Sequence, residues 1–352
     1  MKDERIPVAV LGATGSVGQR FVQLLERHPW FRVAEVVASD RSKGRSYCAA
    51  TDWRLDAFVP ESAADLVVKD YADQIASPLV FSALPGEVAG EIEQRLAKEG
   101  HAVLSNTSTH RMEPDVPLII AEVNPGHAAA IELQKKNRGW SGYIVTNGNC
   151  SCIHLTLTLK PLLDAFGLDA VLVSTLQAVS GAGYPGVPSL DMIDNVVPYI
   201  GSEEEKLAEE ASKFLGGFDG EQFNYADFAI SAHCNRVPVR DGHTECVSVK
   251  LTNPATPAEV IEAFESFRAL PQELNLPSAP GRPIVVRAEN NRPQPNLDRN
   301  VEKGMASVVG RVRVCPVLGI KYVLLGHNTI RGAAGASILN AELFKVQGLL
   351  PS

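Results

Sequence analysis

Ile6-Pro7-Val8-Ala9-Val10-Leu11-Gly12-Ala13-Thr14-Gly15-Ser16-Val17-Gly18 opens with six mostly apolar residues and closes on glycines at 12, 15 and 18. The residues that follow turn amphipathic. Phe21, Val22, Leu24 and Leu25 are apolar, whereas Gln19, Arg20, Gln23, Glu26 and Arg27 are polar. The order is strand, glycine loop, helix. The spacing is G-x-x-G-x-x-G rather than the commoner G-x-G-x-x-G, but the physics is shared: small residues let the backbone approach a pyrophosphate at a helix N-terminus. An ordinary tight turn has similar composition. Its place on the first predicted strand favours a nucleotide site built around Gly12 and Gly15.

Outward from that unit, a second strand is predicted over 33–38. Short apolar runs at 79–83, 102–104 and 118–121 then alternate with helical stretches such as 87–99. This rhythm predicts a Rossmann-type, doubly wound parallel sheet. An NAD site usually has an acidic residue at the end of the second strand to hold the ribose 2′-hydroxyl. Here that end reads Ser39-Asp40-Arg41-Ser42-Lys43-Gly44-Arg45. Ser39 takes the acidic position while Arg41 and Ser42 suit a 2′-phosphate, which favours NADP. Asp40 restores an NAD-type carboxylate only if the register shifts by one.

After residue 150 the strand-like runs lengthen and alternate: 170–176, 236–239, 244–251, 284–287, 306–314 and 321–325, with helices over 203–214 and 257–267. That pattern predicts an α+β domain with a mixed sheet. A final helix is predicted over 337–346. The expected division is a dinucleotide-binding domain of residues 1–148 with 331–352, and a catalytic and dimerisation domain of residues 149–330.

The 352 residues suffice for two such domains, and 45% hydrophobic with 21% charged residues is the balance of a globular enzyme. A net charge of −8 argues against a nucleic-acid surface, though not against a local basic pocket for a small anion. The six cysteines lack disulfide-scaffold density and metal-ligand spacing, so no metal site is expected. Met1-Lys2-Asp3-Glu4-Arg5 carries no apolar leader and no run is long enough to span a membrane. The expectation is a cytoplasmic enzyme.

Asn149 precedes Cys150 at the start of an apolar run, 153–160, that suits a buried helix, and asparagine is a good N-cap. A cysteine in that first turn faces unpaired N–H groups and the positive end of the helix dipole, both of which favour thiolate. Residues 176–186 are a strand running into a glycine-rich loop, where backbone and ligand come close. Arg236 and His243 are seven apart, on opposite faces of a perfect strand; Asp241-Gly242 would make either a bulge or a hairpin between them. Ser202 and Glu205 have capping-box spacing, which leaves Glu203 and Lys206 as i, i+3 neighbours.

Taken in order, residues 12–18, 39–42, 105–112, 147–150, 177–186, 203–206, 235–245 and 327–335 resemble aspartate-semialdehyde dehydrogenases of the archaeal and fungal branch, almost end to end. The resemblance implies Cys150 as nucleophile, His243 as general acid/base and Gln177 positioning the acyl group. It implies Arg236 on the substrate carboxylate, Glu203 on its amino group, and Arg111, Lys206 and Asn149 on the phosphoryl group. NADP would meet Thr14, Gly15, Ser16 and Val17, then Ser39, Arg41, Ser42 and Ser82, and finally Ser180, Gly181, Gly183 and Asn328. The implied reaction is NADP-dependent reductive dephosphorylation of 4-phospho-L-aspartate to L-aspartate 4-semialdehyde, in the biosynthesis of lysine, threonine, methionine and isoleucine. A homodimer or homotetramer is implied.

Two positions depart from the family: Gly148 stands where Pro or Ser is expected, and Ala121 where relatives commonly carry a proline. A malonyl-CoA reductase shares the thioester chemistry but needs no pocket for an amino group, and N-acetylglutamyl-phosphate reductase fits residues 177–186 less well. A silent NADP-binding sensor would lack Cys150, Arg236 or His243.

Overall fold

β1 (Ile6–Leu11) lies between β2 (Phe31–Val37) and β3 (Leu79–Ser82) in a five-stranded parallel sheet of order β2-β1-β3-β4-β5, with β4 spanning Ala102–Ser105 and β5 Tyr143–Thr146. This computed structural model describes residues 4–351; Met1, Lys2 and Asp3 of the N-terminal stretch read above lie outside the described residues. Every residue of β3, β4 and β5 is buried, as expected for a parallel sheet covered on both faces. Helices of nine residues or more are numbered here. On one face α1 (Ser16–Leu25) packs Phe21 and Leu25 beside Val8 and Phe81. On the other, α2 (Gly86–Lys98) sets Ala89 and Leu96 against Ala9 and Val80. α3 (Ala130–Arg138) precedes β5.

Gly12 shows why the loop after β1 needs glycine. Its φ is +69°, and a Cβ there would sit 2.4 Å from the carbonyl oxygen of Ala83. Gly18 brings α1 down onto that loop, since a Cβ would lie 2.1 Å from the Gly12 carbonyl oxygen.

α4 (Cys150–Phe166) leaves the end of β5 and lies against a second, six-stranded sheet. Its strands are β6 (Ala170–Gln177), β9 (Ala229–Arg236), β10 (His243–Lys250), β11 (Ile284–Arg287), β12 (Ser307–Cys315) and β13 (Gly319–Gly326), in the order β11-β12-β13-β10-β6-β9. β6–β9 and β11–β12 pair in parallel and the other ladders are antiparallel, so the sheet is mixed. β7 (Gly217–Phe218) and β8 (Phe223–Asn224) form a small hairpin after α5 (Glu203–Leu215), and α6 (Pro257–Ser266) follows β10. The last helix, α7 (Gly335–Val346), returns to the first sheet, with Ile338, Ala341 and Phe344 in the cluster of Val8 and Phe81.

Three local expectations are corrected. Residues 118–121 form no strand of the sheet. They run buried beside β5 with one bridge from Leu118 to Thr146: the Ile119 N–H and the Pro117 carbonyl bond to Thr146, the last residue of β5, and the Asn124 side chain takes the Ile120 N–H and the Leu118 carbonyl on the opposite side. The run at 236–239 is not a strand either, since β9 ends at Arg236. Ser202 and Glu205 make no capping box: Ser202 has φ +52° and its side chain caps nothing. Among the described residues no helix is long and apolar enough to cross a membrane.

Candidate active site

Arg236 and His243 lie neither on one bulged strand nor on a two-residue hairpin. They sit on β9 and β10, which flank β6, at the edge where β6 ends in Gln177. Gln177 is level with Arg236 across the parallel ladder, and Thr244 with Leu176 across the antiparallel one. Strand register therefore gathers Gln177, Arg236 and His243 at one edge, and α4 brings Cys150 to them. Cys150 Sγ is 3.0 Å from His243 Nε2.

Asn149 caps α4 as its sequence predicts, its Oδ1 accepting from the N–H groups of Ser151 at 2.9 Å and Cys152 at 3.1 Å. Its Nδ2 donates to Glu203 Oε1 at 2.7 Å, so the cap and the first residue of α5 are joined. Cys152 packs between Thr156 and the Leu207 carbonyl, fully buried, with its thiol pushed well up by burial.

The ring of His243 is oriented from behind. The backbone N–H of Ala178 donates to Nδ1 at 3.0 Å, so Nδ1 is an acceptor and the neutral ring carries its proton on Nε2, facing sulfur. Burial, and then the adjacent Arg236, hold the imidazole well below its usual pKa. A second proton on this ring would have to displace the Ala178 bond.

The thiol departs from expectation. Burial pushes Cys150 up to about 12, with Glu203 adding to the rise, while Arg236, Arg111 and the Ser151 N–H pull the other way. The helix start and the cations are present, and desolvation outweighs them. The free enzyme is therefore expected to be alkylated by iodoacetamide at a rate climbing about tenfold per pH unit from 7 to 10. A plateau below pH 9 would show that the helix start wins instead.

Arg236 is anchored through Nη1 to the Ala178 carbonyl at 2.8 Å and stays buried. Gln177 is buried, with Nε2 3.3 Å from the Thr175 hydroxyl. Gly181 lies over Arg236 and His243: a Cβ there would be 2.9 Å from Arg236 Nη1 and 3.2 Å from His243 Nε2. Gly181→Ala should lower kcat/KM roughly 10- to 100-fold by displacing these groups a fraction of an ångström, with little change in melting temperature. Steady-state kinetics beside a thermal melt would check it, and wild-type kcat/KM would refute it.

Arg111 is buried, with Nη1 on Glu210 Oε1 at 2.8 Å and Nη2 on the Asn106 carbonyl at 2.9 Å. Lys206 is half-buried one turn along α5 from Glu203, and the two form no ion pair. Glu210 and Lys213 were not singled out in the sequence. Their signal was there: 203, 210 and 213 recur at helical spacing on one face, and all three are buried.

On the dinucleotide side, a cleft of about 610 Å³ runs between α1 and the loop after β6, lined by Ser16, Gln19, Arg20, Ser180, Tyr184 and Thr329 among others. Gly183 also lines it, while Gly181 faces the histidine, so the segment 179–183 (its helical turn spans Val179–Ala182) touches both regions. Asn328 is fixed nearby, donating to Ser180 Oγ at 2.8 Å and accepting from the Gly242 N–H at 2.9 Å. Thr14, Gly15, Ser16 and Val17 form the lip of the glycine loop, and the first N–H groups of α1 have no partner within the helix. Ser39 follows β2, and the turn Asp40–Ser42 leaves Arg41 exposed. Ser82 sits at the end of β3 with its hydroxyl turned inward, 2.6 Å from Glu93 Oε1. Among the described residues no group of three or more His, Cys, Asp or Glu side chains is placed to hold a metal.

A dinucleotide-type sheet joined to a mixed-sheet domain, with a helix-start cysteine paired to histidine between them, defines the semialdehyde dehydrogenase class. Residues 7–131 match the family described as semialdehyde dehydrogenase, NAD binding domain, and residues 159–331 its dimerisation domain. The chain is 52% identical to the aspartate-semialdehyde dehydrogenase of Archaeoglobus fulgidus, over 96% of this chain and 98% of that one. It is 53% identical to that of Methanothermobacter thermautotrophicus, again over 96% and 98%. The crystal structure of aspartate-semialdehyde dehydrogenase with NADP from Candida albicans matches with a TM-score of 0.90 at 41% identity, covering 98% of this chain and all of that one. The chain belongs to the aspartate-semialdehyde dehydrogenase family.

Proposed function

We propose that this chain catalyses the NADP-dependent reductive dephosphorylation of 4-phospho-L-aspartate to L-aspartate 4-semialdehyde. The observation that carries the reading is the 3.0 Å approach of Cys150 Sγ to a histidine nitrogen that bears the proton, at a sheet edge that also holds Arg236 and Gln177. Family membership favours it over malonyl-CoA reductase or a silent sensor, and buried Glu203 beside Asn149 suits a substrate amino group.

In this reading Cys150 gives its proton up to solvent, and the thiolate so formed attacks the acyl carbon. A C–S bond forms, the C–O bond to phosphate breaks, and the thioester stays on the enzyme. His243 Nε2–H and the first N–H groups of α4 stabilise the tetrahedral oxyanion. Arg236 takes the substrate carboxylate in a forked pair, Gln177 orients the acyl group, and Arg111, Lys206 and Asn149 hold the departing phosphate. When bound, the reduced nicotinamide supplies the hydride that the thioester carbon accepts. The C–S bond then breaks and the aldehyde leaves. His243 Nε2–H donates a hydrogen bond to the departing thiolate while keeping its proton, and the sulfur regains its own proton from solvent.

The residues fit the cofactor. The loop of Gly12 and Gly18 is a cradle that a Cβ would fill, and the cleft beyond it is large enough for a ring and ribose. Thr14, Gly15, Ser16 and Val17 would contact the pyrophosphate, and Ser39, Arg41 and Ser42 the 2′-phosphate, with Ser82 beneath. Ser180, Gly181, Gly183 and Asn328 would frame the nicotinamide. Residues 1–148 with 331–352 would form the cofactor domain and 149–330 the catalytic and dimerisation domain. Leu172 and Leu176, exposed on the outer face of the second sheet, suit the face that joins two copies in a homodimer or homotetramer. The enzyme would work in the cytoplasm.

The test is NADPH formation from L-aspartate semialdehyde and NADP, with and without phosphate. Strong phosphate dependence is expected. Silence here with NADPH oxidation by malonyl-CoA would overturn the reading.

A further inference from the structure

Glu210 stands on α5 two turns beyond Glu203 and is 1% exposed. Its carboxylate accepts at both ends. Oε2 takes the backbone N–H of Asn149 at 2.6 Å, and Oε1 takes Arg111 Nη1 at 2.8 Å. A second residue of the same helix face completes the hold on the arginine loop: Lys213 Nζ donates to the carbonyls of Arg111 at 2.7 Å, Val116 at 3.0 Å and Glu113 at 3.1 Å. With Nη2 on the Asn106 carbonyl as well, the guanidinium is pinned at both terminal nitrogens. Its buried Nε has no protein partner, leaving that edge for an anion.

Gly148 explains how Glu210 comes so close to the backbone leading into the nucleophile. A Cβ at 148 would lie 2.5 Å from Phe214 Cζ and 3.3 Å from Glu210 Oε2. The family departure at Gly148 is thus matched by the Phe214 ring, which fills the space a side chain would take.

We infer that Glu210 is a positioning residue that sets the phosphoryl-binding arginine, Arg111, in register with the helix carrying Cys150. The inference rests on the proposed role of Arg111 in the phosphoryl site. Glutamate is well suited to the task. Asparagine 149 and Arg111 both present donors, and a glutamine at 210 has one acceptor and one donor, so it satisfies one of them and opposes the other.

The experiment uses the full-length enzyme in phosphate-dependent oxidation of aspartate semialdehyde. Glu210→Gln should raise KM for phosphate at least about tenfold, the loss expected of one charge-assisted hydrogen bond, while KM for the semialdehyde and the Kd for NADP stay within about twofold. Arg111→Lys should give a comparable phosphate defect, and adding Glu210→Gln to it should change KM for phosphate less than about twofold. An unchanged or lowered phosphate KM in Glu210→Gln overturns the inference, as does a second full tenfold loss in the Arg111→Lys background. If Glu210→Gln does not fold, Gly148→Ala pushes on the Phe214 ring and on Glu210 Oε2 at the turn that presents the Asn149 N–H, with every charge intact. It should reproduce the phosphate defect, and a folded Gly148→Ala enzyme with wild-type phosphate KM overturns the idea. An unaffected phosphate KM in Arg111→Lys would instead remove the role of Arg111, and the inference with it.

Discussion

Cys150→Ser should lower phosphate-dependent kcat on the order of 10⁴-fold or more, with NADPH binding preserved. A serine would keep the helix-start position and the hydrogen bond from His243 Nε2, so geometry alone does not account for the loss. The surroundings do. Burial drives even the thiol up to about 12, and a hydroxyl begins several units higher, so the anion needed for attack is out of reach. His243 offers no remedy as a base, because Nε2 already carries the proton and Ala178 occupies Nδ1. An oxyester, if formed, would also be a poorer hydride acceptor than a thioester, since oxygen donates more strongly to the carbonyl. NADPH binding is spared because Cys150 does not line the cleft. Single-turnover kinetics with a fluorescence titration of NADPH separate the two effects, and more than about 1% residual turnover would contradict the assignment.

What could be read from the chain was what neighbouring residues determine together. The unit from β1 through the glycine loop to α1 was legible because alternation, glycine spacing and helical periodicity agree over 20 residues, and Asn149 announces the start of α4 by its own chemistry. The fifth strand was missed because Tyr143–Thr146 is four buried residues without alternation, whereas 118–121 shows the stronger apolar run. What separates them is tertiary: Tyr143–Thr146 pairs along its length with β4, whereas 118–121 meets only Thr146 and is closed on its far side by Asn124. Arg236 and His243 were recognisable as a pair, but not as residues of two strands separated by β6, because sheet order depends on distant ladders. Ser202 spoke for a capping box by spacing alone, and its left-handed backbone forbids one. Groups that act through the backbone, such as the Ala178 N–H, have no side-chain signature at all.

Arg331→Met should destabilise the protein by about 3–5 kcal/mol, the effect of leaving one partner of a buried ion pair alone. Arg331 and Glu122 are both almost wholly inaccessible and meet in a two-point pair, at 2.8 Å and 2.6 Å. Glu122 directly follows the buried segment beside β5, and Arg331 lies in the turn Ile330–Ala334 ahead of α7, so the pair ties the returning C-terminal helix to the first sheet. With methionine at 331 the carboxylate must stay charged without a partner or take up a proton, and either is unfavourable in that interior. The melting midpoint should fall by roughly 5–10 °C. The double variant Glu122→Leu with Arg331→Met removes both charges and should recover most of the loss, which an equally large loss would contradict. The pair should also reach the thiol. Gly332 follows Arg331 and lies so close to Cys150 that a Cβ would sit 2.8 Å from the cysteine Cβ. If the ion pair holds that turn in place, Arg331→Met alters the rate of Cys150 alkylation at temperatures where the protein remains folded. An unchanged alkylation rate beside a lowered melting point would confine the pair to stability.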